Sequence, residues 1–150
     1  MKQLSPNFSL QEMTVTNTGL PNVAPPEAIS HLTALCVKVL EPIRAHFGKP
    51  VTVNSGYRSP AVNRAVGSSP TSQHGMGQAA DIEIPGVSNL DLARRIADHL
   101  KFDQLILEAH RKGDPSSGWV HVSLGPRMRS QVLTMTMGSH GPVYSGGLPK

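Results

Sequence analysis

Three side chains of types that commonly bind metal ions stand out in the sequence: His74, Asp81 and His121. His74 follows a loop rich in Ser and Pro, and the glycines at 75 and 77 let the backbone approach its surroundings closely. Two neutral imidazoles and one carboxylate, with water in the fourth position, make a catalytic zinc site. Spacing alone leaves ordinary structural roles open as well, because a His and an Asp seven residues apart often occur by chance.

His121 lies in the segment Trp119–Ser123, whose composition predicts a strand. Alternation places Trp119, His121 and Ser123 on one face and the valines between them on the other. A buried histidine on such a strand needs a polar partner. This pattern favours a ligand that His121 shares with other side chains.

Three motifs follow one another in the chain: SGYRS at 55–59, SQHGMGQAADI at 72–82 and WVHVS at 119–123. Together they resemble the zinc D-Ala-D-Ala carboxypeptidase family of peptidases, and most of all its small single-domain members, which are common in phage genomes. The segment Asn7–Met13 is also similar to the start of that group. The resemblance covers about residues 51–124, and the block S-x-H-x-x-G-x-A-x-D is its most specific part.

The resemblance implies an α+β fold of the hedgehog/D-Ala-D-Ala-peptidase type, with one Zn²⁺ held by His74, Asp81 and His121. It implies hydrolysis of peptide bonds in bacterial peptidoglycan stem peptides or cross-links, as expected of a phage lysis enzyme. Arg58, in the Tyr-Arg motif, would bind a substrate oxygen or carboxylate, a task that suits its planar charged fork. The bond could be the terminal D-Ala, or an internal L-Ala–D-Glu or D-Ala–diaminopimelate bond.

The match to the family fails at one position. The family usually has an acid three residues before its last histidine ligand, where this chain has Gly118. The nearest upstream carboxylates are Asp114 and Glu108, and either could be the general base. The absence of any base is the remaining possibility. It keeps open a non-catalytic, zinc-containing domain that binds the cell wall or belongs to a virion.

We favour Glu108 as the base because it ends the apolar segment Gln104–Glu108, which predicts a strand. Alternation directs Leu105 and Leu107 to the core and leaves Ile106 and Glu108 on the opposite face. If this strand forms an antiparallel hairpin with residues 119–124, Glu108 lies beside His121.

Two more side chains are candidates for substrate binding. Ser72 precedes the first expected ligand, and Trp119 shares a strand face with His121. Of the other histidines, His110 is the most plausible addition to the site, because it closely follows the Glu108 strand.

Both helices and strands are predicted to position these residues. Pro25-Pro26-Glu27 predicts the start of a helix that ends at Gly48-Lys49-Pro50, with a kink at Pro42. Ser88 predicts the cap of a second helix that runs to about Leu100. Strands are predicted near 51–53, 79–84, 104–108, 119–124 and 131–137. The result is an α+β class with a small, mostly antiparallel sheet and flanking helices. Residues 1–25 read as an extended lead-in with one helical turn, and 138–150 as a loose tail.

Length and composition narrow the class of protein. A chain of 150 residues fits one domain, and its single Cys excludes an internal disulfide or a thiolate metal site. The start of the sequence has no apolar segment of the kind found in secretory signals. No apolar stretch in the sequence is long enough to span a membrane. We therefore expect synthesis in the cytoplasm and action on the wall after release, in the host periplasm. The net charge is +4, but the basic residues are scattered along the chain and no group of aromatic side chains could stack on bases. Both observations argue against nucleic-acid binding. We expect a monomer.

Overall fold

The central element of the protein is a six-stranded sheet, seen here in a computed structural model that describes residues 2–150. Its strands lie in the order β3-β4-β6-β5-β7-β8, and only β5 and β7 run parallel to each other. The strands are β3 (Thr52–Ser55), β4 (Ala79–Glu83), β5 (Gln104–Glu108), β6 (Trp119–Ser123), β7 (Gln131–Gly138) and β8 (Gly141–Gly146). The predicted α+β class with a mostly antiparallel sheet is confirmed.

The first long helix has three parts: α2 (Pro26–Leu35), a π-helical turn (Cys36–Leu40) and α3 (Glu41–Phe47). The wider turn ends at Leu40, two residues before Pro42, whose nitrogen has no hydrogen to donate. The amide of Glu41 bonds to the carbonyl of Cys36, five residues back, so the ladder shifts by one residue. The disturbance expected at Pro42 is thus a π turn on its N-terminal side.

The remaining helices are short or flank the sheet. They are α1 (Leu10–Met13), α4 (Pro60–Ala65) and α5 (Asn89–His99), with a 3₁₀ turn at Gln73–Met76. The Ser88 hydroxyl accepts a hydrogen bond from the amide of Asp91, which confirms the predicted cap of α5. Among residues 2–150, every helix is too short or too polar to span a lipid bilayer.

The two faces of the sheet differ, as strand alternation predicts. Helix α5 packs against β5 and β6. Leu105, Leu107, Val120 and Val122 belong to the buried core on that side. The opposite face carries Ile106, Glu108, Trp119 and His121, which line a cleft. Alternation therefore separates the residues that stabilise the fold from those that could do chemistry.

The lead-in is more ordered than expected. Residues Gln3–Ser5 (β1) and Phe8–Ser9 (β2) pair with each other, and Ser9 and Glu12 form a capping box at the start of α1. Leu4, Phe8 and Met13 are buried in the core. This segment is thus part of the hydrophobic core, because its apolar side chains recur at spacings that a strand pair and one helical turn can bury.

The prediction of a loose tail at 138–150 is wrong. Strand β8 pairs with β7 along its whole length, from Leu133↔Gly146 to Gly138↔Gly141. Beyond it, Leu148 packs against the core, and Arg94 donates a hydrogen bond to the carbonyl of Pro149 at 2.7 Å. A high Gly and Pro content is typical of disordered tails. Here these residues lie in the tight turn between β7 and β8 and in β8 itself, an edge strand, where both are tolerated.

Candidate functional site

His74, Asp81 and His121 meet at the floor of the cleft. His74 lies on the 3₁₀ turn, while Asp81 on β4 pairs directly with His121 on β6. All three are buried, with exposed fractions of 3%, 6% and 7%. One potential ligand atom from each lies within 4.8 Å of the others. The fold thus brings together three residues that are spread over 47 positions of the chain.

One carboxylate oxygen connects the cluster. Asp81 Oδ1 lies 3.2 Å from His74 Nε2 and 3.2 Å from His121 Nδ1. Its other oxygen, Oδ2, accepts a hydrogen bond from Arg58 at 3.0 Å. Burial alone would raise the pKa of Asp81, but the two histidines outweigh burial and hold that pKa below its ordinary value.

The orientation of His74 is set by backbone groups. Its Nδ1 lies 2.7 Å from the carbonyl oxygen of Gly56, which can only accept, so Nδ1 carries the hydrogen and donates it. The amide of Arg58 donates to the His74 carbonyl, and the Ser72 hydroxyl accepts from the His74 amide. These bonds fix both the ring and its tautomer.

This arrangement fits a bound cation. In the neutral tautomer, the Nε2 lone pair of His74 faces Asp81 Oδ1, so two acceptors lie 3.2 Å apart. A positive charge must lie between them, either a proton on the ring or a metal ion. Nε2 of His121 is also buried, with no hydrogen-bond partner within the described part of the chain. Two ring nitrogens and one carboxylate are a donor set that Zn²⁺ prefers.

The cleft above this cluster has a volume of about 970 Å³. Arg58, Ser72, Glu108 and Trp119, all selected from the sequence, line it together with the three clustered residues. The Arg58 guanidinium is held at one side, since its Nε donates to Ser55 Oγ at 3.0 Å while it also pairs with Asp81.

Two other candidates lie elsewhere. Asp114 forms an exposed ion pair with Arg111 at 2.9 Å and is not among the residues that line the cleft. His110 is buried behind the strand end, where its amide donates to the carbonyl of Met135, and it does not line the cleft either.

Glu108 is the carboxylate beside the cluster. The predicted hairpin is present: Glu108 pairs with Trp119, and Ile106 pairs with His121. Burial raises the pKa of Glu108, and so does the charge of Asp81, while His121 and Arg58 act in the opposite direction. A raised pKa makes this carboxylate a stronger base.

Gly118 could not carry the acid that the family has at that point. Its φ is +69°, and a Cβ there would overlap the carbonyl oxygen of Glu108. The backbone of Glu108 thus fills the space that a side chain at 118 would need. The overlap accounts for the glycine at 118, and the carboxylate that lines the cleft comes from Glu108 instead.

Several residues of the cleft, among them Asp103, Arg129 and Tyr144, are not predicted from the sequence. Asp103 accepts hydrogen bonds from Gln73 Nε2 at 2.9 Å and from Arg129 at 2.7 and 3.0 Å. It thereby connects the loop after β6 to the turn that holds His74. The far wall of the cleft, which includes Tyr144, comes from the segment that was expected to be loose. The sequence of β8 carries no alternating pattern that would predict this wall, because its apolar residues Val143 and Tyr144 are adjacent and both exposed.

Comparison with known families gives a match over most of the chain. The family described as Peptidase M15 matches residues 6–123, a span that contains all three motifs and the His74, Asp81 and His121 cluster. No curated protein matches the sequence. The resemblance noted from the motifs is confirmed at the level of the family. On the strength of this match and of the site that the matched residues build, the chain belongs to the peptidase M15 family.

Proposed function

We propose that the protein is a zinc-dependent peptidase that hydrolyses peptide bonds in peptidoglycan stem peptides or cross-links. The family supports a metallopeptidase that acts on peptidoglycan. The observation that carries the rest of the proposal is the buried cluster of His74, Asp81 and His121 on the floor of a cleft that Glu108 also lines.

The metal would be held by His74 Nε2, Asp81 Oδ1 and a ring nitrogen of His121. When bound, zinc polarises a substrate carbonyl and makes water more acidic. The protein contributes the rigidity of the site. Arg58 fixes Asp81 through Oδ2, and the Gly56 carbonyl fixes the ring of His74, so the ligands need little reorganisation.

Glu108 is the general base in this proposal. Its carboxylate takes the proton of the attacking water and later gives it to the leaving amine nitrogen. The partly buried position of Glu108 and its raised pKa suit both steps. The non-catalytic alternative rested on the missing acid at Gly118, and it loses that support because Glu108 supplies a carboxylate from the neighbouring strand.

Substrate binding is assigned to the sides of the cleft. Arg58 keeps its guanidinium at the edge of the cluster, where it can hold a substrate oxygen or carboxylate. Ser72 and Trp119 line the same space. The net charge of +4 favours an anionic polymer such as the bacterial wall. We further propose that one domain acts as a monomeric phage lysis enzyme, made in the cytoplasm and active on the wall after release.

The test combines metal analysis with digestion of purified peptidoglycan. Glu108→Gln should keep bound zinc and lower peptide release by about 100-fold or more. His74→Ala or His121→Ala should lose the zinc. Glu83→Gln is the matched control, because Glu83 is bound to Asn54 and Asn89 away from the cleft and its loss should leave activity near the wild-type value.

Mass spectrometry of the released fragments would identify the bond that is cut and so distinguish a carboxypeptidase from an endopeptidase. Wild-type protein that holds zinc but releases nothing would instead indicate a wall-binding domain. Full activity in Glu108→Gln would refute the assignment of the base.

A further inference from the structure

The hairpin of β7 and β8 lies beyond the residues that match the family, yet it builds one wall of the cleft. The family match ends at residue 123, whereas Leu133, Pro142 and Tyr144 all line the cleft. The hairpin joins the sheet through β7, which runs parallel to β5. This chain therefore has a cleft wall that the family pattern does not account for.

Strand register places Tyr144 in line with the proposed base. Trp119 pairs with Glu108 across β6 and β5, and Tyr144 pairs with Met135 across β8 and β7. The parallel register pairs Ile106 with Leu133 and ends at Leu107 and Thr134, so Glu108 and Met135 each follow the last pair on their strands. One row of side chains on the cleft face thus runs from Trp119 through Glu108 and Met135 to Tyr144.

This row brings the two aromatic side chains to opposite sides of Glu108. Neighbouring strands lie about 4.8 Å apart, so the backbone of Tyr144 is about 10 Å from that of Glu108. A tyrosine side chain that leans along the face can cover most of that distance. Burial, together with the charge of Glu108, raises the pKa of Tyr144, so its hydroxyl stays protonated and can donate.

About half of the Tyr144 side chain is open to the cleft. It is 54% exposed, and so is its neighbour Val143, whose side chain points to the other face of the same strand. A half-exposed aromatic ring in a cleft offers a flat apolar surface and one hydrogen-bond donor, a combination common at binding sites. The ring is thus available to a ligand that enters the cleft.

We propose that Tyr144 is a substrate-contacting residue, which with Trp119 brackets the substrate on the two sides of Glu108. Its ring packs on the stem peptide, and its hydroxyl donates a hydrogen bond to a peptide carbonyl oxygen. The chemical identity of this ligand rests on the proposed function. The placement of Tyr144 in the cleft wall rests on the fold alone.

The kinetic test uses Tyr144→Ala, Tyr144→Phe and the matched control Val143→Ala, each made in the full chain. Loss of the whole ring should raise KM about tenfold with kcat nearly unchanged, the pattern of a lost interaction that is equally strong in the ground state and the transition state. Loss of the hydroxyl alone should raise KM about threefold, and Val143→Ala should behave like the wild type. Tyr144→Leu, which keeps apolar bulk on the edge strand, replaces the alanine variant if that variant folds poorly.

A binding test separates failure of this inference from failure of the proposed function. Soluble muropeptides are titrated into Glu108→Gln, with and without Tyr144→Ala, and the fluorescence of Trp119, the single tryptophan of the chain, reports binding. Weaker binding without Tyr144 supports the inference, even where wild-type protein cuts no bond and the peptidase proposal fails. Equal affinity with and without Tyr144, or no binding at all, overturns it.

Discussion

Gly118 offers a sharp test of how the backbone of Glu108 is held. It lies in the connection between β5 and β6, and a methyl group added there would overlap the Glu108 carbonyl oxygen and crowd Ala109. Gly113 lies in the same connection and also has a positive φ, +84°, but an added Cβ there meets nothing within 4 Å. Replacing each by Ala therefore imposes similar backbone strain, and only Gly118→Ala adds a steric overlap.

The expected sizes follow from this difference. Left-handed strain should lower the free energy of unfolding by about 1–2 kcal/mol in either variant. The overlap at Gly118 should lower it by roughly a further 1–3 kcal/mol, as overpacking usually does. At about 2–4 °C per kcal/mol for a domain of this size, Gly113→Ala should lower Tm by about 4 °C and Gly118→Ala by about 10 °C.

Thermal melting followed by circular dichroism measures these changes, and peptidoglycan digestion measures their effect on the site. Because relief of the overlap must move Glu108, Gly118→Ala should lose activity below its Tm while Gly113→Ala keeps it. Equal changes in Tm and in activity for the two variants would refute the steric argument. Recovery of activity when Glu108→Ala is combined with Gly118→Glu would refute the claim that position 118 cannot supply the acid.

Two further predictions concern buried titratable groups. Asp103→Asn should lower the free energy of unfolding by about 2 kcal/mol, because Arg129 loses charged hydrogen bonds. Asp114→Asn, which breaks the exposed ion pair with Arg111, is the control and should change the free energy of unfolding little. Denaturant titration measures both variants. Because hydrogen bonds from Arg129 hold the pKa of Asp103 below its ordinary value of 3.8, the ion pair stabilises the fold above pH 3.8, and this stabilisation is lost as the pH falls below it. The difference in unfolding free energy between the wild type and Asp103→Asn should therefore shrink at low pH. A difference that does not change with pH would contradict the ion pair. Burial raises the pKa of Cys36 to about 12, so the thiol should resist alkylation at pH 8 until the chain unfolds, and stability should decline as the pH rises from 9.0 towards 12. Rapid labelling of Cys36 in the native state would contradict its burial.

The part of the site that sequence predicts best is the part that local periodicity controls. Strand alternation correctly separates Val120 and Val122 from His121, and the acid at the end of an apolar strand correctly identifies Glu108 as a residue of the cleft. The antiparallel hairpin of β5 and β6 joins segments close in the chain, so its register follows from the same pattern. The roles of these residues stay predictions until variants are measured.

Features that depend on distant partners are harder to predict. Strand β8 exists because β7 offers it a paired edge, and β7 itself pairs with β5 from a different part of the chain. Nothing in the composition of 138–150 indicates that edge. Asp103 is similar: its four hydrogen bonds come from Gln73 and Arg129, which approach it only in the folded chain. The π turn before Pro42 is a third feature that is hard to predict. A proline in a helix indicates that the hydrogen-bond ladder is disturbed, but it does not indicate whether the result is a kink or a π turn.

The contact between the lead-in and the Arg58 motif couples the docking of the lead-in to the orientation of His74. Gly56 lies so close to the Met13 carbonyl that a Cβ would overlap it, and the next amide, that of Tyr57, donates to that same carbonyl at 2.8 Å. The Gly56 carbonyl in turn holds the ring of His74. An ion that favours this orientation of His74 also favours the docked lead-in, and by reciprocity the docked lead-in tightens the ion by the same factor. We therefore predict that a tag or truncation that disturbs residues 3–13 lowers the affinity for an ion bound through His74, although none of these residues lines the cleft.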